Sequence, residues 1–392
     1  MTPLDRARLY QAELTAIRRD IHAHPELGLE EHRTADIVAR TLEEWGIEVH
    51  RGVGVTGVVG VLRNGNGQAA VGLRADMDAL PMQEATNLPH ASTAPGRMHA
   101  CGHDGHTAML LGAAKYLAET RAFNGTVNFI FQPAEEGLGG AEAMLKDRLF
   151  ERFPCDSVFG MHNRPGMPVG NFSISPGTAM AGAAFFDIAI AGKGAHGARP
   201  EQSIDPVLVA CHIATALQSI VSRNVSPNDL AVLSVTRILS GDAYNVIPQS
   251  ALLGGTARTM KMATMELIKA NTIRMASSIA AGFGAEATVD FRVIFPPLVN
   301  NPDELRVIAD AAAALVGEQH LDRNHAPVMA SEDFSFMMQR VPGGHINLGN
   351  GEDSAAVHNQ LYDFNDNAIP YGVALYATVV ERKLPRASSE ME

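Results

Sequence analysis

Three histidines and a cysteine fall within eight residues in His99-Ala100-Cys101-Gly102-His103-Asp104-Gly105-His106. Imidazole nitrogen and thiolate are borderline-soft ligands, suited to zinc, manganese, cobalt or nickel. Gly102 and Gly105 let the backbone curl, so that alternate side chains can converge. A helix N-terminus just downstream, or a bound dication, would lower the thiol pKa. Two other readings exist for these residues alone. They could be surface histidines capping a helix, or Cys101 could be a nucleophile with His103 or His162 as its base.

Other segments carry compatible chemistry. Val71 to Ala75 reads as a strand delivering Asp76 and Asp78 at its end. Thr126 to Phe131 reads as a strand delivering Gln132-Pro133-Ala134-Glu135-Glu136-Gly137. Ser157 to Met161 delivers His162, and His358 sits in a late loop, Val357-His358-Asn359. Adjacent residues after a strand point in different directions. One of Glu135 and Glu136 can therefore bind a cation while the other stands beside it, the arrangement needed for general-base hydrolysis. An isolated Glu-Glu pair also suits an acidic solvated turn.

The elements must place these groups on one rim. Apolar spacing predicts a helix over residues 3–21, and a second capped by Thr34 and running to Trp45. Strands are expected at Val53 to Leu62 and Ala69 to Asp76, a helix at His106 to Glu119, and a helix at Ala141 to Leu149. Strands alternating with helices imply a largely parallel sheet flanked by helices, whose C-terminal edge binds ligands. The middle of the chain differs. Strands at 183–191, 230–239, 251–259 and 287–295, with helices at 205–223 and 264–283, follow the β-α-β-β-α-β ferredoxin-like order. Helix and strand alternation resumes at Pro302. The expected organisation is an α/β catalytic domain over 1–180 and 295–392, with an inserted α+β domain over 181–294. The tail after Arg386 is expected to fray.

Composition narrows the class. The chain has 392 residues, 46% of them hydrophobic, so two folded domains are expected and wholesale disorder is excluded. Basic residues number 31 against 43 acidic, a net charge of −12, which argues against nucleic acid as partner. Three cysteines, too few and odd in number for a disulfide framework, point to the cytoplasm. The N-terminus lacks the apolar core of a signal peptide. The longest apolar run, Val207 to Leu217, is broken by His212 and falls short of a membrane span.

Several motifs together resemble the M20D amidohydrolases, a group of hippurate hydrolases, N-acyl-amino-acid amidohydrolases and auxin-conjugate hydrolases. The resemblance is carried by Arg18-Arg19-Asp20-Ile21-His22-Ala23-His24-Pro25-Glu26-Leu27-Gly28, by Arg74 to Pro81, by His99 to His106, by Gln132 to Gly137 and by Gly160-Met161-His162-Asn163. It runs from about Ile17 to Val380. It implies a site for two divalent ions per subunit, with Cys101 bridging, His103 and His162 completing one site, and Glu136 and His358 the other. Glu135 would be the general base and Asp78 an orienting aspartate. Asp76 stands where many relatives have a histidine ligand, and the resemblance implies that the cysteine-histidine pair takes over that ligation here. His99 and His106 are expected to support the ligands.

The same resemblance implies that the inserted domain is a lid and dimerisation domain. His196, in Gly194-Ala195-His196-Gly197-Ala198-Arg199-Pro200, would reach the substrate carbonyl, in relatives often from the neighbouring subunit. Asn245 and Arg258 would hold the substrate carboxylate. An arginine fork suits that task because it binds a carboxylate bidentately. Ser331-Glu332-Asp333-Phe334 is also family-like, and support of the metal shell or pocket is expected of it. The implied activity is metal-dependent hydrolysis of N-acyl amino acids by a homodimer, or a tetramer. An M20-type dipeptidase or carboxypeptidase with the same chemistry is the alternative.

Overall fold

The computed structural model describes residues 1–386, so the expectation of a frayed tail lies outside the described residues. The chain divides into two compact units. One comprises Met1–Ala179, Val299–Ala326 and Asp333–Glu392; the other comprises Met180–Leu298 with Pro327–Glu332. The short return of Pro327–Glu332 to the second unit has no composition signal, and the expected 295–392 span misses it.

The first unit is built on an eight-stranded sheet. Its centre is parallel: Gly125–Gln132 pairs with Ala70–Asp76, which pairs with Ser157–Pro165, which pairs with Gly343–Gly351. Antiparallel Gly57–Asn64 and Glu48–Val53 extend one side. The central strands read as nearly continuous apolar runs because helices cover both faces. His103–Thr120 is buried along almost its whole length, and Pro3–Ala23 and Ile369–Lys383 pack beside it. Leu73, Phe129, Phe159, Met109, Leu110 and Val373 belong to one continuous core.

Four local expectations are corrected. The run Val53 to Leu62 is two strands, Glu48–Val53 and Gly57–Asn64, paired across a tight turn. Thr34 does not cap the second helix, which spans His32–Glu44; the Glu26 carboxylate accepts from the backbone N–H of Arg33 and Thr34 instead. The strand of His162 continues to Pro165, so His162 lies within it. In the helix expected from His106, the first turn begins at His103.

The second unit is a four-stranded antiparallel sheet, in spatial order Ala231–Leu239, Ser250–Thr259, Gly182–Ala191, Glu286–Phe295. That is the ferredoxin-like order expected from the chain. Helix Pro206–Asn224 starts at Asp205, whose carboxylate accepts from the N–H of Val207 and Leu208. This helix is long and apolar enough, by length and composition, to cross a membrane. Here Val209, Ile213, Leu217 and Ile220 enter the core of this unit beside Ile268 and Ala276 of helix Met262–Gly282.

Candidate metal centre and active site

The parallel strands end together, and that register assembles the first unit's site. Asp76 pairs with Gln132, and Arg74 lies beside Gly160, two residues before His162. Asp78 is the main organiser. Its Oδ1 and its backbone carbonyl accept from His103 Nδ1 at 3.1 and 2.9 Å, and its Oδ2 accepts from the Glu136 N–H at 2.9 Å. A carbonyl can only accept, so His103 carries a proton on Nδ1. The same argument holds for His162, whose Nδ1 donates to the Asn163 carbonyl at 2.6 Å. Both imidazoles are thereby left with Nε2 for a ligand, as in a carbonyl-oriented metal site.

Those Nε2 atoms converge with a thiol and carboxylates. Cys101 Sγ lies 3.4 Å from His162 Nε2. His103 Nε2 is 4.0 Å, and His358 Nε2 3.2 Å, from Glu136 Oε1. Donor atoms fall within 4.8 Å of one another in the sets Cys101–His103–His162, Cys101–Glu136–His358 and His103–Glu135–Glu136. His103 Nε2 is buried without a hydrogen-bond partner, and buried Glu136 Oε1 is met by His358 Nε2 at ion-pair distance. Orphaned buried atoms are costly. Their mixed nitrogen, sulfur and oxygen chemistry fits divalent transition metals.

Electrostatics point the same way. Burial opposes charge on His103, but Asp76, Cys101 and Asp78 together outweigh it and raise the pKa well above the usual range. The field around that ring favours a positive charge. Burial, and then nearby Glu136, pushes the Cys101 thiol up to about 12. Such a thiol is inert unless a cation offsets it, which removes the basis for reading Cys101 as a nucleophile. Burial, then His106, lowers the pKa of His162 and keeps the ring neutral.

The surrounding shell explains several motif residues. Gly102 has φ 94°, and an added Cβ would lie 2.2 Å from Asn163 Nδ2 and 2.5 Å from the Tyr362 hydroxyl. His106 Nε2 accepts from the Asn163 backbone N–H at 3.0 Å, so its Nδ1 donates to Asp76 Oδ1 at 2.6 Å. Asp76 Oδ2 accepts from Arg74 at 2.8 Å. Asp76 and His106 are thus fully engaged with each other and with their supports. His99 is buried, and burial lowers its pKa to about 4. Asp333 accepts from Gln132 and from the Ala141 N–H, and its own N–H lies 3.4 Å from Glu135 Oε1. His358 has φ 63°, an uncommon conformation for a side-chain-bearing residue, and its N–H donates to the Ala100 carbonyl at 2.7 Å. Strain of this kind clusters at functional sites.

Sequence reasoning assigned no role to His22 and passed over Arg18, Asp104, Asn163, Tyr362 and Glu31. Arg18 is buried and pairs with Asp104, Asp363 and Asp366. His22 Nδ1 meets Asp104 Oδ2 at 2.8 Å. This cluster ties the first helix to the start of His103–Thr120 and to the segment after His358. Its signal was present in Arg18-Arg19-Asp20-Ile21-His22, which the resemblance marked without a function. His24 is exposed and meets the carbonyl and carboxylate of Asp20.

In the second unit, Val246 pairs with His196, and the Gly197 N–H donates to the Asn245 carbonyl at 2.7 Å. His196 and Asn245 are therefore neighbours. His196 Nδ1 accepts from the Ala198 N–H at 3.0 Å, so the neutral ring presents Nε2–H as a donor. Arg258 is on strand Ser250–Thr259, with its guanidinium 5.9 Å from the Phe185 ring centroid. Its Nη1 is buried without a hydrogen-bond partner, and burial lowers its pKa.

A converging Cys/His/Glu donor set at the C-terminal edge of a helix-flanked, mostly parallel sheet defines a metallohydrolase class. Comparison narrows it. Residues 72–382 match the model of peptidase family M20/M25/M40, and the chain belongs to this family. It is 44% identical over 374 residues to the hippurate hydrolase of Campylobacter jejuni, covering 95% of this chain and 97% of that one. It is 40% identical over 383 residues to an IAA-amino acid hydrolase of Arabidopsis thaliana, covering 96% and 86%. A solved Bacillus subtilis structure, described as a dinuclear metal-binding M20 peptidase, superposes with TM-score 0.84 at 34% identity, covering 96% and 99%.

Proposed function

We propose that this chain is a metal-dependent amidohydrolase that cleaves N-acyl amino acids to a carboxylic acid and a free amino acid. The observation that carries the reading is the convergence of five donor side chains beside a further carboxylate, Glu135. Cys101, His103, His162, Glu136 and His358 would hold two divalent ions, with Cys101 common to both sets. When bound, the ions would supply Lewis acidity, making water more acidic and polarising an amide carbonyl.

The protein's own groups do the rest. Glu135 takes a proton from the attacking water and delivers it to the leaving nitrogen, so that an amine departs rather than an amide anion. Asp78 fixes the orientation of His103 and the position of the Glu136 backbone. His196, with Nε2–H available, donates to the oxyanion that develops on the acyl carbon. Arg258, with a buried unpaired donor, and Asn245 hold the carboxylate of the amino-acid half. Local groups, not the net charge of −12, set the field that an anionic substrate meets.

The second unit serves as lid and dimerisation domain. Its edge strand Ala231–Leu239 leaves Val232, Ile238 and Leu239 exposed, an apolar edge suited to a second copy. The three cysteines are free, which suits a cytoplasmic enzyme. The functional test is a hydrolysis panel of N-benzoyl, N-acetyl and N-indoleacetyl amino acids and of dipeptides, on protein loaded with zinc, manganese, cobalt or nickel. Cleavage of at least one N-acyl amino acid well above the dipeptides is expected. Cleavage of dipeptides alone would favour the peptidase reading.

A further inference from the structure

The Glu135–Glu136 turn is braced from behind by a segment to which neither motif nor mechanism assigns a task. Ala134, just before Glu135, has φ 51°, the left-handed region that a residue with a Cβ rarely adopts. Its carbonyl accepts from the Gly140 N–H at 3.0 Å. Its own N–H donates to Glu31 Oε1 at 2.8 Å. The other oxygen of Glu31 accepts from the Thr56 hydroxyl. Glu31 is fully buried.

The brace itself is anchored. Glu31 stands at the start of helix His32–Glu44, whose first amides are satisfied by Glu26. The Ala79 N–H donates to the Glu26 carbonyl at 2.8 Å, and Leu27 bridges Ala79. At Gly28 an added Cβ would lie 2.9 Å from Ala134 Cα. Residues 26–31 therefore back both the Asp78 loop and the Ala134 turn, and Glu31 is the side chain that reaches the strained amide.

We propose that Glu31 is a positioning residue for Glu135: its buried carboxylate locks the left-handed turn at Ala134 from which Glu135 is presented to the substrate. This rests on the reading of Glu135 as the proton-transferring group. A carboxylate displaced by a fraction of an ångström still leaves the substrate bound, so the cost falls on kcat rather than KM.

The test compares Glu31→Ala, Glu31→Gln and Thr56→Val in steady-state hydrolysis of an N-acyl amino acid that the wild-type protein cleaves, with bound metal measured on each sample. Glu31→Ala is expected to lower kcat by roughly ten- to a hundredfold with KM and metal content little changed. Glu31→Gln keeps an acceptor for the Ala134 amide and a donor for Thr56, and should recover most of that loss. If Glu31→Ala does not fold, Thr56→Val, which removes one of the two bonds steadying the carboxylate, should still lower kcat at full metal content. Wild-type kcat in Glu31→Ala would overturn the proposal. So would a Glu31→Gln enzyme as slow as Glu31→Ala, metal loss in step with activity, or wild-type kcat in Thr56→Val where Glu31→Ala is insoluble. A wild-type protein that cleaves no N-acyl amino acid would overturn the functional reading and this inference together, whereas the other adverse results strike the inference alone.

Discussion

The two units organise their polar groups in opposite ways. In the first, nearly every group around the candidate centre is held by a neighbour that is itself held. Asp78 fixes His103 and Glu136, Asn163 fixes His162 and His106, and Asp76 is shared between His106 and Arg74. Among the buried atoms left without a hydrogen bond is His103 Nε2, which belongs to the donor sets. In the second unit His196 is exposed on a two-residue strand, and Arg258 makes no ion pair among the described residues. On the proposed reading, one region is preorganised for ions and the other keeps donors uncommitted for a substrate that comes and goes. Substitutions in the first should therefore act on chemistry and metal, and those in the second on substrate affinity.

The largest expected effect separates chemistry from assembly. Glu135→Gln should keep its bound metal and lose about a hundred- to ten-thousandfold in kcat, because a general base typically contributes that much. Near-normal turnover would remove Glu135 from the mechanism. Next, Cys101→Ala takes a donor from both sets, and elemental analysis should show a clear fall in metal per chain. Unchanged occupancy would break the contrast at its centre.

Effects in the second unit should be smaller and of a different kind. If Arg258 holds the substrate carboxylate, Arg258→Ala deletes a charge-assisted contact of about 2 kcal/mol, and kcat/KM should fall roughly thirtyfold, mainly through KM. A fall in kcat alone would contradict the assignment to carboxylate binding.

The smallest effect concerns stability. Burial opposes charge on His22, but Asp104, with a further hydrogen bond to Glu84, raises its pKa from 6.5 to about 9. A raised histidine stabilises fully below its unfolded pKa, and the contribution is lost as pH rises through the folded one. The stabilisation, on the order of 3 kcal/mol at most, is therefore present at pH 6.5 and fades toward and beyond pH 9. In urea titrations the stability gap between wild type and His22→Gln should narrow over that window. A gap independent of pH would show that His22 acts by shape alone.

How much of this was legible from the chain depends on the range of the interaction. The order of elements along the chain, the inserted ferredoxin-like unit and the convergence of Asp78, Glu135 and His162 follow from local periodicity and from the rule that parallel strands bind at their C-terminal edge. Thr34 misled because Ser and Thr are common helix caps, yet here the first amides are met by Glu26, eight residues before Thr34 in sequence. Glu31 left no trace, since a glutamate in a polar stretch looks solvated until the fold buries it against Ala134 and Thr56. Pro327–Glu332 returns to the second unit with no change in composition to announce it. Long-range pairing of this sort is decided by tertiary contacts that no single segment encodes.

On the proposed mechanism, hydrolysis depends on ions held by the five donor side chains. This dependence is tested by measuring metal per chain and N-acyl amino acid hydrolysis on the same preparation, before chelation, after it and after metal is restored. The expected result is about two ions per chain, activity that vanishes with them, and recovery on reloading. Full hydrolysis by protein shown to be metal-free would contradict it.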